Sequence, residues 1–549
     1  MLKKLIIPPN ELSYHALGKM SAFILSFFII LSLAYRYSPK DNFLDSAEKL
    51  YSTTGFYAGE KALSSYLEKH PENQDAWLSL IQWRYRISQN REPLSQKDFN
   101  GFQNLLTSPQ TKLFLSPDEF EEKLKKCPFF SPEEIKAITL SELGTSLNSL
   151  ITYIDKSQKG KPSEFSLSLI EKTFIREDNF QISKSDASKL QKFSALYPQN
   201  KNSKHIQYLL NIIQGKTQTA SLELSFSEPA FLDYKLHSFF MKEKKYLPAS
   251  YHLIRSQIQG HKLLNLSIVI LSGSAWLLLL MHLGHAWHWE SKYKWLIPLA
   301  LILGILSTYS TLIVAVLQDH LMQHEQRPKT FIYNLIYYML GVGLREELIK
   351  LIFFLPLLPL LKNCRDHAVI FILASIVGLG FAMEENVNYY SSASISTVIV
   401  GRFMTANFLH AALTGLAGYS LWTAWQKGGD HWQFFTNQFL KIIALHGAYD
   451  FLLVDKSMGD LSYFSMTVFI ILTLEYTRTI LHFSSYRQRD FTLTQLFIAC
   501  LVTVIGLNLF FLVYQTNNFG LSLQIMASGL LGLVFIAYAF LREFNETVN

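Results

Sequence analysis

Apolar stretches of about 20 residues alternate with short polar loops from Lys262 to the end of the chain. This is the length that an α-helix needs to cross the hydrocarbon core of a bilayer. The pattern predicts spans at residues 263–283, 295–317, 331–361, 368–390, 400–425, 434–454, 461–482, 491–514 and 521–541. A further apolar run at 21–35 is followed by no small-residue cleavage site, so we interpret it as a retained signal anchor rather than a cleaved signal peptide. The sequence therefore predicts about ten membrane spans.

The polar region at residues 40–261 has apolar residues mostly at helical spacing, so we predict that it is helical. The stretch 62–73 predicts a helix that ends at His70-Pro71, after which a second helix begins. A weaker copy of this pattern occupies residues 190–206. Both stretches resemble tetratricopeptide units, whose helix pairs stack into a concave surface that can bind a protein partner. An unrelated helical bundle is the alternative interpretation.

Basic residues in the short loops orient the spans, because cytoplasmic loops are enriched in Lys and Arg. If the N-terminus is cytoplasmic, the inner loops and the C-terminal end contain Lys292, Lys294, Lys362, Arg365, Lys427, Arg487, Arg489 and Arg542. The outer short loops contain only Arg327, Lys329 and Lys456. This bias predicts that both termini are cytoplasmic and that the helical region is extracytoplasmic.

The predicted fold class is all-α: a polytopic helical membrane protein with an extracytoplasmic helical domain. We divide the chain into a cytoplasmic N-terminus with its signal anchor, the helical domain, two spans, a catalytic membrane core and the C-terminal spans. The corresponding residues are 1–39, 40–261, 262–330, 331–455 and 456–549.

Composition supports a membrane protein, because only 17% of residues are charged whereas soluble domains have about 25%. The formal net charge of +7 does not indicate nucleic-acid binding, since there is no zinc-finger spacing, P-loop or basic stripe with interleaved aromatic residues. The three cysteines, Cys127, Cys364 and Cys500, form no CxxC or Cys/His pattern and indicate no thiol chemistry.

Ionisable side chains inside a bilayer are costly and usually functional. Four consecutive predicted spans contain them, together with other polar residues: Glu346, Glu347 and Lys350; then Glu384, Glu385 and Asn386; then Arg402, Asn407, His410 and Thr414; then His446 and Asp450. At about 1.5 Å per residue, the main candidates come out roughly 18 to 25 Å from the cytoplasmic ends of their spans, although two helices run outward and two inward. Such an alignment favours one shared site in the outer half of the membrane.

Spacing within single helices also favours a shared site, because residues at i and i+4 lie on one face. Glu346 shares a face with Lys350, which would keep the carboxylate ionised, and His446 shares one with Asp450, which would fix the imidazole tautomer. Carboxylates and histidines in this number suffice to activate a water molecule, with or without a metal.

The motifs resemble those of the PrsW family of intramembrane proteases over residues 331–455. Glu346-Glu347 with Lys350 is similar to the family's EExxK motif, and Phe381 with Glu385 and Asn386 to its FAxxEN element. His446 with Asp450 is similar to HxxxD, and His410 to the histidine of HxxxTG. The motifs occur in the family's order on successive spans. The family in turn is similar to the CAAX-protease and bacteriocin-processing superfamily.

This resemblance implies cleavage of membrane-anchored proteins, such as anti-sigma factors, near the outer surface of a bacterial cytoplasmic membrane. It implies that Glu346 is the base, that Glu385 shares or orients the water, and that Glu347, Lys350 and Asn386 support them. His446 and Asp450 would stabilise the oxyanion or hold a metal, and His410 would be a second polarising group. The cofactor is open: a divalent metal such as zinc would use His410, His446, Glu385 or Asp450, whereas related enzymes are glutamate proteases.

The sequence leaves two alternative functions. A proton-coupled transporter would use the same Glu/His chain as a relay, but it predicts inverted repeats that the sequence lacks. A non-catalytic scaffold would leave the buried charges unexplained. Among neighbouring residues, we expect Arg402 to anchor a helix end, Glu384 to point away from the site, and His282, His285 and His288 to belong to an interfacial belt.

Overall fold

The structure is a computed structural model, and in the residues that it describes every regular element is a helix. The described residues are 14–37, 56–89, 115–142, 147–176, 182–214, 229–259, 261, 263–322, 330–392, 398–484, 493–516, 519–531 and 533–546. The chain divides into two compact units. The membrane unit consists of Met1–Tyr37, Gly260–Tyr514 and Asn518–Asn549, and the helical unit of Ser38–Gln259 and Gln515–Asn517.

The first helix, α1 (Tyr14–Tyr37), belongs to the membrane unit and contains the predicted signal anchor. The helical unit follows, as expected from the apolar spacing. Its described helices are α2 (Phe56–Lys69), α3 (Gln74–Gln89), α4 (Pro117–Leu124), α5 (Pro132–Glu142), α6 (Leu147–Ser157), α7 (Glu164–Arg176), α8 (Lys184–Leu196), α9 (Lys201–Ile213), α10 (Pro229–Lys242) and α11 (Tyr246–Gln259).

Local signals in the helical unit set several helix ends. The helix α2 ends at Lys69, just before His70-Pro71, because proline restricts the residue that precedes it. The side chain of Ser116 caps α4 in a capping box with Glu119, and Asn200 accepts hydrogen bonds from the first turn of α9. The paired helices α2–α3 and α8–α9 occur where the two repeat-like patterns were found; their assignment as tetratricopeptide units stays a prediction.

The membrane unit continues with a long series of helices. They are α12 (Leu263–Leu283), α13 (Ser291–Lys294), α14 (Leu296–Met322), α15 (Phe331–Ile336), α16 (Leu344–Phe354), α17 (His367–Ser392), α18 (Val398–Met404), α19 (Ala406–Lys427), α20 (His431–Val454), α21 (Ser465–Ser484), α22 (Leu493–Thr516), α23 (Phe519–Leu531) and α24 (Val534–Glu546). Among the described residues, five stretches are long and apolar enough to cross a membrane: Asn265–Leu283, Ser291–Gln318, His367–Tyr390, Leu461–Phe483 and Leu493–Val513. The protein is therefore an all-α, multi-pass membrane protein.

Three of the predicted spans are not single regular α-helices in the structure: one changes its helix type and two are interrupted. The span predicted at 331–361 consists of α15, a π-helical segment at Tyr337–Gly343, α16 and short 3₁₀ turns that contain proline. A break at Thr405 separates α18 from α19 within the predicted span 400–425. The span predicted at 521–541 is two helices, α23 and α24. Apolar content alone predicts that a segment is buried in lipid or protein, but it does not predict where the backbone changes its hydrogen-bonding period.

The helix α17 is the centre of the membrane unit, because 94% of its span is buried inside the protein. Glycines let neighbouring helices approach it closely. A Cβ atom on Gly380 would lie 2.3 Å from the carbonyl oxygen of Leu301 on α14, and one on Gly378 would lie 2.1 Å from the carbonyl oxygen of His410 on α19. Both distances are far below van der Waals contact, so the helices can cross this closely only because glycine has no side chain.

Candidate active site

Side chains from α16, α17, α19 and α20 meet in one cluster of charged groups. Its members are Glu346, Glu347, Lys350, Glu385, His410, His446 and Asp450, which are connected to one another by contacts of 2.8 to 3.7 Å. The four spans thus bring these ionisable side chains together at one place.

Glu347 is the fully buried acceptor of the cluster, with 0% of its side chain exposed. Its Oε1 accepts hydrogen bonds from Lys350 Nζ and His446 Nδ1, each at 2.8 Å, and the Thr414 hydroxyl donates to Oε2 at 3.4 Å. A buried carboxylate is tolerated when it is paired and hydrogen-bonded. The closer carboxylate partner of Lys350 is thus Glu347, whereas the predicted partner Glu346 lies 3.5 Å away.

Lys350 determines the tautomer of His410. Its Nζ lies 2.8 Å from His410 Nδ1, and an ammonium group has donors but no acceptor. His410 Nδ1 must therefore accept this hydrogen bond, and the ring proton must be on Nε2. That atom lies 3.1 Å from Glu385 Oε2, to which it donates. Lys350 is also 3.9 Å from the centroid of the Phe381 ring, a cation–π contact that helps to stabilise the enclosed ammonium.

His446 has the opposite arrangement. Its Nδ1 donates to Glu347, and its Nε2 faces the open side of the cluster. This Nε2 atom lies 3.4 Å from Asp450 Oδ2 and 3.7 Å from Glu346 Oε2. A histidine whose Nδ1–H is held by a carboxylate has a fixed ring orientation and a more basic second nitrogen.

Glu346 is a carboxylate with room for a ligand. Its side chain is 12% exposed, and it accepts no hydrogen bond from the residues that the structure describes. Its nearest ion-pair partners, Lys350 Nζ and His446 Nε2, lie at 3.5 and 3.7 Å. Its lone pairs are therefore available to a water molecule, in contrast to those of Glu347.

Glu385 lies on the other side of His410, at a partly exposed position with 24% of its side chain accessible. Arg402 Nη2 donates to the same Glu385 Oε2 at 2.7 Å, and Arg402 Nε donates to Asn386 Oδ1. The buried Asn386 in turn donates from Nδ2 to Asn407 Oδ1 at 2.7 Å. This second chain of hydrogen bonds fixes the end of α17 that carries Glu385.

Close backbone contacts set the distance between the helices that carry the acidic pair and His446. A Cβ atom on Gly447 would lie 2.5 Å from the Met339 Cα, and one on Gly343 would lie 2.9 Å from the Ile443 carbonyl oxygen. The π-helical segment before α16 therefore lies directly against the backbone next to His446. Segments of π-helix occur often at functional sites, and here the segment ends where the Glu346-Glu347 helix begins.

Arg402 does more than anchor a helix end, since it contacts Glu385 of the cluster and the adjacent Asn386. Asn407, in the first turn of α19, also takes part through its hydrogen bond with Asn386. Neither could be assigned from motif spacing, although both are polar residues in the span that carries His410. By contrast, Glu384 points away as expected: it accepts a hydrogen bond from Tyr309 at 2.8 Å and pairs with His261 at 3.0 Å.

The three histidines near residue 285 differ in exposure, and their place in an interfacial belt stays a prediction. His282 and His285 are buried, whereas His288 and Trp287 are exposed. Within the described part of the chain, they do not belong to a group that could hold a metal ion.

In the described ranges, one group could hold a metal ion: a ligand atom each from Glu346, His410 and His446, all within 4.8 Å of one another. Two histidines and a glutamate are a familiar zinc-ligand set. His446 Nε2 and Glu346 fit this use. His410 does not fit in the arrangement described here, because Lys350 places its ring proton on Nε2 and Glu385 accepts that proton's hydrogen bond. The residues therefore fit a metal only in part.

A comparison with protein-family models agrees with the geometry. Residues 292–474 match the model described as the PrsW family intramembrane metalloprotease. Residues 292–474 are thus a protease region of the PrsW type. The matched region contains every residue of the charged cluster and none of the helical unit. Searches of curated proteins and of solved structures give no match.

Proposed function

We propose that this protein hydrolyses a peptide bond of a single-span, membrane-anchored protein, at a site in the outer half of the bilayer. An anti-sigma factor is a substrate of the proposed kind. The observation that carries the proposal concerns Glu346, a carboxylate that accepts no hydrogen bond from the described residues. It lies beside two histidines whose own hydrogen bonds are fixed by other groups.

The proposed reaction uses Glu346 as the general base. Glu346 takes a proton from water while the water oxygen bonds to the carbonyl carbon of the substrate. The carbonyl π electrons move to its oxygen, which receives a hydrogen bond from the His410 Nε2–H group as negative charge develops. The C–N bond then breaks, the electron pair goes to nitrogen, and the proton held by Glu346 is transferred to it. The products are a carboxylic acid and an amine.

The remaining residues would position these groups. Glu347 fixes the ring of His446 by accepting the hydrogen bond from its Nδ1, and His446 with Asp450 borders the open side of Glu346. Lys350 fixes the proton of His410, and Glu385 holds the His410 Nε2–H group in place until the substrate arrives. If a divalent metal is bound, Glu346 and His446 would hold it and it would polarise the carbonyl or the water.

The test is cleavage of a single-span reporter with a tagged outer segment, co-expressed with wild type or with Glu346→Gln, Glu385→Gln or His446→Ala. We expect wild type to cleave the reporter and the three variants to reduce cleavage by at least about 10²-fold. Equal cleavage by all four proteins, at matched membrane levels, would exclude these residues from catalysis. Reporters of different outer sequence serve to find a cleavable one before the variants are compared.

The helical unit is proposed to bind the outer part of the substrate or a protein partner. Deletion of residues 45–255 tests this role, because the charged cluster lies wholly in the other unit. We expect the deletion to slow cleavage of a cognate reporter while leaving cleavage of a short, non-cognate one unchanged. Identical rate and selectivity with both reporters would refute it.

A further inference from the structure

Arg402 is a charged residue that the mechanism above does not use. It is part of α18, which is separated by the break at Thr405 from the helix that carries His410. A charged side chain in a membrane segment is costly unless it has a function. Its contacts therefore indicate what it does there.

The guanidinium group of Arg402 is held on three sides. Nη2 donates to Glu385, Nε donates to Asn386, and Cζ lies 3.6 Å from the centroid of the Tyr389 ring. Asn386 cannot rotate to release Nε without losing its own hydrogen bond to Asn407. The planar group thus has one orientation, and the position of its remaining nitrogen, Nη1, is fixed.

Two cations contact the carboxylates of the cluster, and they differ in access. Lys350 is 0% exposed and its donors face Glu347 and His410, whereas the side chain of Arg402 is 17% exposed. In the part of the chain that the structure describes, no residue accepts a hydrogen bond from Arg402 Nη1. Arginine has five N–H donors in a rigid fork, so the bonds to Glu385 and Asn386 leave donors over.

A peptide substrate inside a membrane has the complementary requirement. Its helix must unwind around the scissile bond before water can attack, and this frees backbone carbonyl groups that have no water to bind in the bilayer. Each such group costs free energy unless a donor satisfies it. An arginine with a fixed orientation, spare donors and partial exposure next to Glu385 meets this need.

We propose that Arg402 is a substrate-binding residue, whose Nη1 donates to a backbone carbonyl oxygen of the unwound substrate while Nη2 holds Glu385. The recognised chemistry is the peptide backbone rather than a particular side chain. This inference rests on the proposed function, because it requires that a peptide enters the cluster. It predicts a loss of substrate binding that is separate from any effect on Glu385.

The experiment measures binding of the labelled single-span reporter to full-length protein in nanodiscs, in a Glu346→Gln background that does not cleave it. We expect Arg402→Gln to raise the Kd roughly 10- to 100-fold, the range of a hydrogen bond to a charged group, and Arg402→Lys to fall between it and wild type. Arg478→Gln, at an exposed position of α21, is the matched control and leaves Kd unchanged.

A second pair of variants separates binding from positioning. In a Glu346→Gln, Glu385→Gln background, Arg402 has no carboxylate to hold, yet Arg402→Gln should still raise Kd by a similar factor. If it has no further effect there, Arg402 serves only Glu385 and the inference is wrong. Thermal unfolding of each variant shows whether the fold is intact. Cleavage by Glu346→Gln would instead refute Glu346 as the base of the proposed function. The Kd comparison alone would then decide whether Arg402 binds the substrate.

Discussion

The Nζ atom of Lys350 lies 2.8 Å from Nδ1 of His410 and donates a hydrogen bond to it. This one contact assigns the ring proton of His410 to Nε2, because an ammonium group cannot accept. It also connects the acidic helix α16 to α19 through buried charge. Several expectations about the site depend on it.

The His410 tautomer can be observed directly. With ¹⁵N-labelled histidine in nanodiscs, we expect the His410 ring to be protonated at Nε2 and unprotonated at Nδ1. Lys350→Met removes the donor and should change this pattern, whereas Lys441→Met, on the exposed side of α20, should not. A His410 ring that is protonated at Nδ1 in the wild type would contradict the assignment.

Metal removal is the second test that depends on this contact. His410 Nε2 carries a proton and donates a hydrogen bond to Glu385, so it has no lone pair for a metal. We therefore expect reporter cleavage to persist after treatment with a strong chelator. The measurement is the cleavage rate before and after chelation, with and without added zinc. A loss of activity that zinc restores would contradict this expectation and show that cleavage needs a metal.

The buried pair of Lys350 and Glu347 should dominate the stability of the site. Lys350→Met leaves the fully buried Glu347 without its cation, and we expect a loss of about 3–5 kcal/mol in the free energy of unfolding. The double variant Lys350→Met, Glu347→Gln should recover much of it. As the control, Lys441→Met breaks an exposed pair with Glu475 and should cost no more than about 1 kcal/mol. Denaturation in detergent measures all three.

The contact between Gly447 and the π-helical segment should be sensitive to a single methyl group. In Gly447→Ala the new Cβ would lie 2.5 Å from the Met339 Cα, so the two helices must separate. We expect a cost of about 1–3 kcal/mol and a fall in cleavage, since His446 would move away from Glu347. Gly401→Ala, with no atom within 4 Å of its Cβ, is the control and should be neutral. Equal behaviour of the two variants would contradict the close contact.

Acid should loosen the helical unit at α10 and α11. Burial lowers the pKa of His237 below its usual value of 6.5, and its ring donates from Nδ1 to the Ala249 carbonyl oxygen. The unfolded state then binds a proton more readily than the folded state, so stability is fully present above pH 6.5 and falls as the pH drops below it. After correction for the intrinsic pH dependence of amide exchange, the protection of α10 and α11 should fall between pH 7.5 and 5.5, and His237→Gln should reduce this fall.

Much of the molecule could be predicted from local pattern. Apolar runs near the bilayer thickness predicted helices, and Pro71 and Ser116 marked helix ends through backbone chemistry that acts within a few residues. The hydrophobic pattern did not predict the π-helical segment between α15 and α16 or the interruptions between α18 and α19 and between α23 and α24. Apolar residues continue across them, so the hydrophobic pattern contains no signal of the change.

The residue types in the site and their order along four spans were readable from the sequence, because charge in a membrane segment is rare and costly. Helical period also placed His446 with Asp450 on one face. Pairings between helices were not readable. The preference of Lys350 for Glu347 over Glu346, its bond to His410, and the contact of Arg402 with Glu385 all depend on how each helix is rotated and how closely it packs.

The sequence by itself thus determined which helices carry the charged groups, since that depends on composition and on a 3.6-residue period. The tertiary structure decided which nitrogen of each histidine carries its proton and which glutamate stays open to water. These depend on contacts of about 3 Å between distant segments, set by glycine crossings such as Gly378 with His410 and Gly447 with Met339. A change of 1 Å in either crossing would change the hydrogen-bond partners and leave the sequence pattern the same.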